Sequence, residues 1–329
     1  MLKSDDILTR PLKRRTVLAA GLGFAAGIPL SGRSSWAASE SAQTIRIATI
    51  KATVCAPSLI IQKFLPAGWK VELTPFTSPG DMTNALLTQS MDIAYTGLTV
   101  GIVARSREQP IVIVANGAGK GTAIVTKKES TIQTIADLKG KRVGNLPLSI
   151  HDILLREELR KVGLKLEDLN TIRLAPGDMP GALQRGDIDA FAGNEPNVTA
   201  TVLAGYGRVI SYPYDNPVGT INVGILSSDY AVQNKADLMK VWAEAHAKAT
   251  DQLATTPDMW ADLVAKEWGY DRTATRESIK NIDLVWKLDA KFNLQLTAFM
   301  DRLKELGVIT KVPEVNKLLA RQFVDGVKA

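Results

Sequence analysis

Pro110-Ile111-Val112-Ile113-Val114-Ala115-Asn116-Gly117 is the stretch on which the fold turns. Five apolar residues, four of them β-branched, lie between a proline and an Asn-Gly pair. A run this short and this uniformly apolar predicts a strand covered on both faces. Such strands occur where helices flank a sheet, so the neighbouring segments should alternate strand and helix.

They do so upstream. Residues 44–50 alternate and are β-branched, which predicts a strand. Pro57 suits the first turn of a helix continuing through 58–64, because its missing N–H costs nothing there. Strands are predicted at 69–73 and 92–95, with helices at 79–89 and 98–105. A second set follows downstream: strands at 122–126, 142–144, 171–174, 188–192 and 208–210, and helices at 132–138 and 149–162. Ile150, Ile153, Leu154 and Leu159 give the 149–162 helix an apolar side. After Ser228 strand signals stop, and helical spacing predicts helices around 238–253, 259–268, 275–288 and 292–306. The alternation predicts an α/β protein with largely parallel pairing. A weak echo joins the two sets. Ala85-Leu86 is followed after five residues by Asp92, and Ala182-Leu183 after five residues by Asp189.

The 329 residues suit one large domain or two lobes. Hydrophobic residues at 45% and charged residues at 22% exclude a largely disordered chain. The single cysteine excludes an internal disulfide and a Cys-rich zinc site, and His151 and His246 leave little for metal chemistry. The net charge of +6 is unevenly placed. Lys3, Arg10, Lys13, Arg14, Arg15 and Arg33 stand against Asp5 and Asp6 in the first 37 residues, which leaves +2 for the rest. The basic balance is therefore no sign of nucleic-acid binding.

That N-terminal tract has the order of an export signal. Arg14-Arg15 precede an apolar stretch ending at Leu30, and Ser35-Trp36-Ala37 supplies small residues for cleavage. Paired arginines followed by Val17-Leu18 resemble a twin-arginine signal, with a general secretory signal as the alternative. The stretch is short and broken by Gly21, Gly23, Gly27 and Pro29, which argues against a permanent membrane span.

Ligands in α/β lobes sit beyond the carboxyl ends of the parallel strands, where loops open into helices. Four such loops hold the candidates. Thr53 and Cys55 lie in the first, Thr96 and Thr99 in the second, Ser149 in the third, and Asn194 and Glu195 in the fourth. The hydroxyls can bind a ligand or cap a helix. Glu195 is the main candidate charge, and could equally serve as a carboxylate at a helix start. Ser149, His151 and Asp152 do not read as a triad, since helix positions two apart diverge, but His151 can reach the cleft mouth. Asn222, with Tyr212, Tyr214 and Asp215, could close over the ligand. The Gly117–Thr122 stretch has the wrong spacing for a phosphate loop and reads as a hinge approach.

Two motifs carry a family resemblance. Asp137-Leu138-Lys139-Gly140-Lys141-Arg142-Val143-Gly144 resembles the passage opening the second lobe of ABC-importer substrate-binding proteins. Gly186-Asp187-Ile188-Asp189-Ala190, followed by Glu195-Pro196, resembles a hallmark of their nitrate, sulfonate and taurine branch, which includes thiamine-precursor binders. The resemblance implies a type II periplasmic-binding-protein fold: two α/β lobes, a hinge of crossovers near 119–123 and 213–222, and a helical C-terminal tail. Residues 1–37 would be the signal peptide, 38–121 and 221–329 lobe 1, and 122–220 lobe 2. It implies a periplasmic, monomeric solute-binding protein, not an enzyme, without cofactor, metal or nucleic acid. Its ligand would be a sulfonate, nitrate or related small nitrogen- or sulfur-containing solute. Its partners would be an inner-membrane ABC permease and, through the signal, the export machinery. An enzyme on the same fold, pyrimidine-forming or hydrolytic, and a periplasmic sensor are the alternatives. Leu148-Ser149 stands where many relatives have Gly-Ser, and Asn194 where many have an aromatic, so the ligand is not carried over.

Overall fold

Residues 43–328 are described by a computed structural model. The export tract 1–37 lies outside the described residues. Strands β1 (Gln43–Thr49), β2 (Trp69–Pro75), β3 (Ile93–Gly97), β4 (Ile111–Lys120), β10 (Ile221–Ser228) and β11 (Ile282–Leu284) form one sheet, ordered β11-β4-β10-β3-β1-β2. Strands β5 (Thr122–Lys127), β6 (Arg142–Asn145), β7 (Asn170–Arg173), β8 (Ala190–Asn194) and β9 (Gly207–Ser211) form the other, ordered β7-β6-β8-β5-β9. The apolar run at 111–115 is the start of β4, buried as its composition requires.

The pairing is mixed, not largely parallel. β1 pairs parallel with β2 and β3, and β6 with β7 and β8. The strands that carry the chain between sheets run the other way. β10 is antiparallel to β3 and β4, and β5 is antiparallel to β8 and β9. The expectation of parallel pairing extended a local β–α rule to strands that serve as crossovers. β4 runs almost directly into β5 through Lys120 and Gly121, both at positive φ.

Helices α1 (Pro57–Ile60), α2 (Pro79–Leu87) and α3 (Leu98–Ser106) belong to the first strand set. Helices α4 (Ile150–Lys161), α5 (Met179–Arg185) and α6 (Asn197–Leu203) accompany the second. Then come α7 (Asp229–Asn234), α8 (Ala236–Thr255), α9 (Pro257–Trp268), α10 (Arg272–Ser278), α11 (Ala290–Glu305) and α12 (Val315–Leu318). Two expected helices are corrected. At 132–138 only a 3-10 turn forms, over Ala136–Leu138. Asp137 draws the segment into a turn by accepting from the N–H groups of Gln133 and Thr134 and the Thr134 hydroxyl. The expected 275–288 helix stops at Ser278, and Ile282–Leu284 pairs with Lys120, Gly119 and Ala118 as β11. A free edge of β4 satisfies those backbone groups, and helical spacing gives way to tertiary pairing.

Helix α8 buries Met239, Trp242, Ala243, His246, Thr250 and Leu253 at helical spacing. Full burial of a large apolar side chain is worth about 1.5–3 kcal/mol, so this face anchors the tail on the first sheet. His246 is wholly buried and stacked on Trp242, 5.1 Å between centroids. Its Nε2 faces the carbonyl oxygen of Asn116 at 3.2 Å, which can only accept, so Nε2 carries the hydrogen. Nδ1 then accepts from the Tyr95 hydroxyl at 2.9 Å. Burial pushes its pKa down to about 4. An ion pair between Arg302 of α11 and Glu157 of α4 links the tail to the second strand set.

Candidate ligand-binding site

A cavity of about 410 Å³ opens where the expected loops meet. From the first sheet, the loop after β1 contributes Ile50, Ala52 and Val54, and the start of α3 contributes Thr99 and Val100. From the second, the loop before α4 contributes Leu146, Pro147 and Leu148, then Ser149 and His151. Asn194 and Glu195 follow β8, and Asn222 and Val223 come from β10. The start of α2, Pro79 and Gly80, completes the wall, and no residue type there marks a binding site in the sequence.

Six of the nine expected residues therefore line one cavity: Thr99, Ser149, His151, Asn194, Glu195 and Asn222. Thr53, Cys55 and Thr96 are not among its lining residues and are fully buried. The Cys55 Sγ faces the Tyr95 carbonyl at 3.8 Å, and burial raises the thiol pKa to about 12. The Thr53 and Thr96 hydroxyls have no partner among the described residues. The Thr53 carbonyl accepts from the Trp260 indole at 3.0 Å, which ties that loop to α9. Small polar types at a strand end were the signal that selected these three residues, and that signal does not say which side chains turn inward. Of the residues near the second crossover, Tyr214 is a clamp. Its hydroxyl accepts from Thr122 N–H at 2.6 Å and donates to Thr122 C=O at 2.7 Å.

Ser149 is the N-cap of α4. Its Oγ accepts from Asp152 N–H at 3.2 Å and donates to the Leu146 carbonyl at 2.8 Å. Asp152 reaches back to Leu148 N–H at 3.0 Å and takes the Asn145 amide at 2.6 Å. This loop holds Leu148 at φ +66°, a left-handed conformation that a branched side chain rarely takes, with the side chain half exposed at the cavity. Ile150, Ile153 and Leu154 of the same helix pack into the core of the first strand set. One helix therefore carries a cavity wall and contacts to both halves.

Glu195 is nearly fully buried. Its Oε2 accepts from Thr199 N–H at 3.0 Å and its Oε1 from the Asn281 amide at 2.8 Å. Glu195 N–H donates to the Gly121 carbonyl at 3.0 Å, and Gly121 N–H to the Asn281 carbonyl at 2.9 Å. Three segments distant in sequence are thus tied at one cavity edge. Burial raises the Glu195 pKa, with the bonds from Asn281 and Thr199 opposing. His151 Nδ1 lies 2.8 Å from the Thr122 hydroxyl, and burial pushes the imidazole to about 4, so it is neutral at pH 7. Asn222 donates its amide to Lys120 C=O at 2.6 Å, leaving its Oδ1 without a partner among the described residues. The cavity lining offers hydrogen-bonding groups from Thr99, Ser149, Asn194, Glu195 and Asn222. Among the described residues no cluster of three or more His, Cys, Asp or Glu is placed to hold a metal ion.

The chain is similar to known proteins over most of its length. A profile of NMT1/THI5-like proteins matches residues 64–259. A putative aliphatic sulfonates-binding protein of Escherichia coli K12 is 32% identical over 247 residues, covering 70% of this chain and 76% of that protein. The taurine-binding periplasmic protein of the same strain is 27% identical, covering 76% of this chain and 75% of that protein. The crystal structure of the periplasmic aliphatic sulphonate binding protein SsuA from Escherichia coli superposes with a TM-score of 0.69 at 25% identity, over 84% of this chain and 91% of that one.

Proposed function

The chain belongs to the NMT1/THI5-like family, and from that premise we propose that it is the substrate-binding component of an ABC importer. It captures a small solute between two α/β halves and presents the loaded form to a permease. One observation carries this reading. The cavity is built jointly by both strand sets, and the chain passes between them at Gly121, so ligand contact and relative movement of the halves are coupled. The cargo class is a small nitrogen- or sulfur-containing solute, in keeping with relatives named for aliphatic sulfonates and taurine.

A relative named as a periplasmic protein supports delivery from outside the inner membrane. Among the described residues no helix is long and apolar enough to cross a membrane. Residues 1–37 serve as the export signal in this proposal, by the twin-arginine route. Lobe 1 comprises 38–121 and 221–329, and lobe 2 comprises 122–220, a division supported by the two separate sheets. The protein acts as a monomer and without chemistry of its own.

Native mass spectrometry of protein taken from its own periplasm tests the reading. A bound small molecule is expected, together with loss of its uptake when the gene is deleted. Unchanged uptake of the released molecule, or turnover of it by the purified protein, would overturn the importer role. Replacing Arg14 and Arg15 by lysine should leave precursor in the cytoplasm.

A further inference from the structure

We infer that the cargo is an organic solute with an apolar body and a nitrogen-bearing donor end, carrying no net negative charge. This rests on the binding-protein reading above and narrows its ligand.

Three observations converge. The first is charge. Among the described lining residues Glu195 is the only formally charged side chain, and none is a lysine or arginine. The carboxylate is nearly fully buried, so a desolvated anion beside it would be strongly disfavoured. The second is the hydrogen-bond inventory. Glu195 spends one acceptor site of each oxygen on Asn281 and Thr199, which leaves about two of a carboxylate's four sites open. Asn222 lines the same cavity at 6% exposure, with Oδ1 unpartnered among the described residues. The two buried acceptors with spare capacity call for a ligand that donates, while the Asn194 amide, whose Oδ1 accepts from Asn197, can meet an acceptor atom of the same solute. The start of α3, uncapped by any side chain and opening beside Thr99, suits the solute's own acceptor atom.

The third is shape. A volume of about 410 Å³ falls in the ordinary range for organic-ligand sites, roughly 300–1,000 Å³, and far exceeds a four-atom oxyanion. The wall is mainly apolar, through Ile50, Val54, Val100, Leu148 and Val223. Leu148 holds its side chain there from a backbone conformation that glycine would take more easily. A strained residue whose side chain lines a site has a reason to be there in ligand contact.

The test is a titration series on ligand-stripped full-length mature protein with probes that share one body. Hexanamide and hexylammonium are compared with hexanoate and hexane-1-sulfonate, and with nitrate and taurine, by calorimetry. The amide or the ammonium should bind at least about ten-fold more tightly than either hexyl anion, with nitrate and taurine weaker still. Leu148→Gly should weaken the favoured hexyl probe by about five-fold without lowering the unfolding midpoint. Glu195→Gln should erase the preference for hexylammonium over hexane-1-sulfonate. Equal or tighter binding of hexanoate, hexane-1-sulfonate or nitrate by the wild type overturns the inference and leaves the importer role standing. If all six probes are silent, the molecule released from protein taken from its native periplasm decides. A net anion or an inorganic ion overturns the inference, and a neutral or cationic organic nitrogen compound supports it. Release of nothing, with no probe bound, overturns the binding-protein reading and the inference with it.

Discussion

Asp92 accepts three hydrogen bonds from Arg46: the backbone N–H at 2.9 Å, Nε at 3.1 Å and Nη2 at 2.9 Å. Asp189 takes the same three from Arg142, at 2.9, 3.2 and 2.6 Å. In each half the arginine opens or lies within a strand and the aspartate ends the turn that leads into its neighbour. The short Ala-Leu-to-Asp echo in the sequence is therefore a repeated fastening between adjacent parallel strands.

The two fastenings differ in burial, and their mutants should differ accordingly. The Asp92 side chain is 1% exposed and also pairs with Lys235, while Asp189 is 30% exposed. Asp92→Asn takes the charge from a buried carboxylate whose partners Arg46 and Lys235 are partly exposed, and should cost about 1.5–3 kcal/mol, the worth of hydrogen bonds to a charged group. Asp189→Asn should cost no more than about 1 kcal/mol, since water screens that pair. Urea unfolding of both variants measures the contrast. Equal losses would mean that burial does not set the strength of these clamps.

Acid should destabilise the protein well above the carboxylate range. His151 and His246 are both held near 4 by burial, against an ordinary value of 6.5. The folded state therefore takes up these protons less readily than the unfolded chain. The contribution is full above pH 6.5 and is lost as pH falls from 6.5 towards 4, by about 3 kcal/mol for each histidine. Urea midpoints followed from pH 7.5 to 4.5 should decline over that window. His246→Gln and His151→Gln should each flatten the decline by about one proton's worth. An unchanged slope in either variant would show that the histidine does not titrate there.

The alternation of strands and helices was legible because it rests on local patterns: the apolar run of β4, the proline at the start of α1, the apolar side of α4. β11 was not, because Ile282–Leu284 becomes a strand only by meeting the end of β4, more than 150 residues earlier in the chain. The site was legible to the level of the loop. Strand ends opening into helices selected Thr99, Ser149, Asn194 and Glu195, the helix position two after Ser149 added His151 and the second crossover added Asn222, and all six border the cavity. The same rule selected Thr53, Cys55 and Thr96, because which way a side chain turns depends on neighbours such as Trp260, which is over 200 residues away. Asn281 carried no local signal. Its role comes from reaching Glu195 across the fold.

Ser149 separates a capping role from a ligand role. Its hydroxyl both accepts and donates within its own loop. Ser149→Ala should lower stability by about 1 kcal/mol, the usual worth of an N-cap, and leave the affinity for a bound solute within about two-fold. Thermal unfolding and calorimetry on the same preparation give both numbers. A loss of affinity with no loss of stability would return the hydroxyl to the ligand.

Asn281 tests whether the tie at the cavity edge depends on charge. Its amide gives Glu195 Oε1 one of two protein hydrogen bonds, while its backbone carbonyl separately holds Gly121 N–H. Asn281→Ala removes the first and keeps the second, so the loss should be that of a bond to a buried charge, about 1.5–3 kcal/mol in urea unfolding. Asn281→Asp is the more informative variant. It sets a second carboxylate against one whose pKa burial has already raised. Two carboxylates in contact cannot both ionise cheaply, so one should hold its proton far above the usual range. A proton bound in the folded state and released on unfolding gives stability that is present at low pH and lost as pH rises. Relative to wild type at each pH, the aspartate variant should therefore be close to normal near pH 5 and clearly destabilised near pH 8. The alanine variant, with no new titrating group, should show a nearly constant deficit. A pH-independent deficit in the aspartate variant would mean that the two side chains part when both are charged, and that the contact is not a fixed part of the cavity edge.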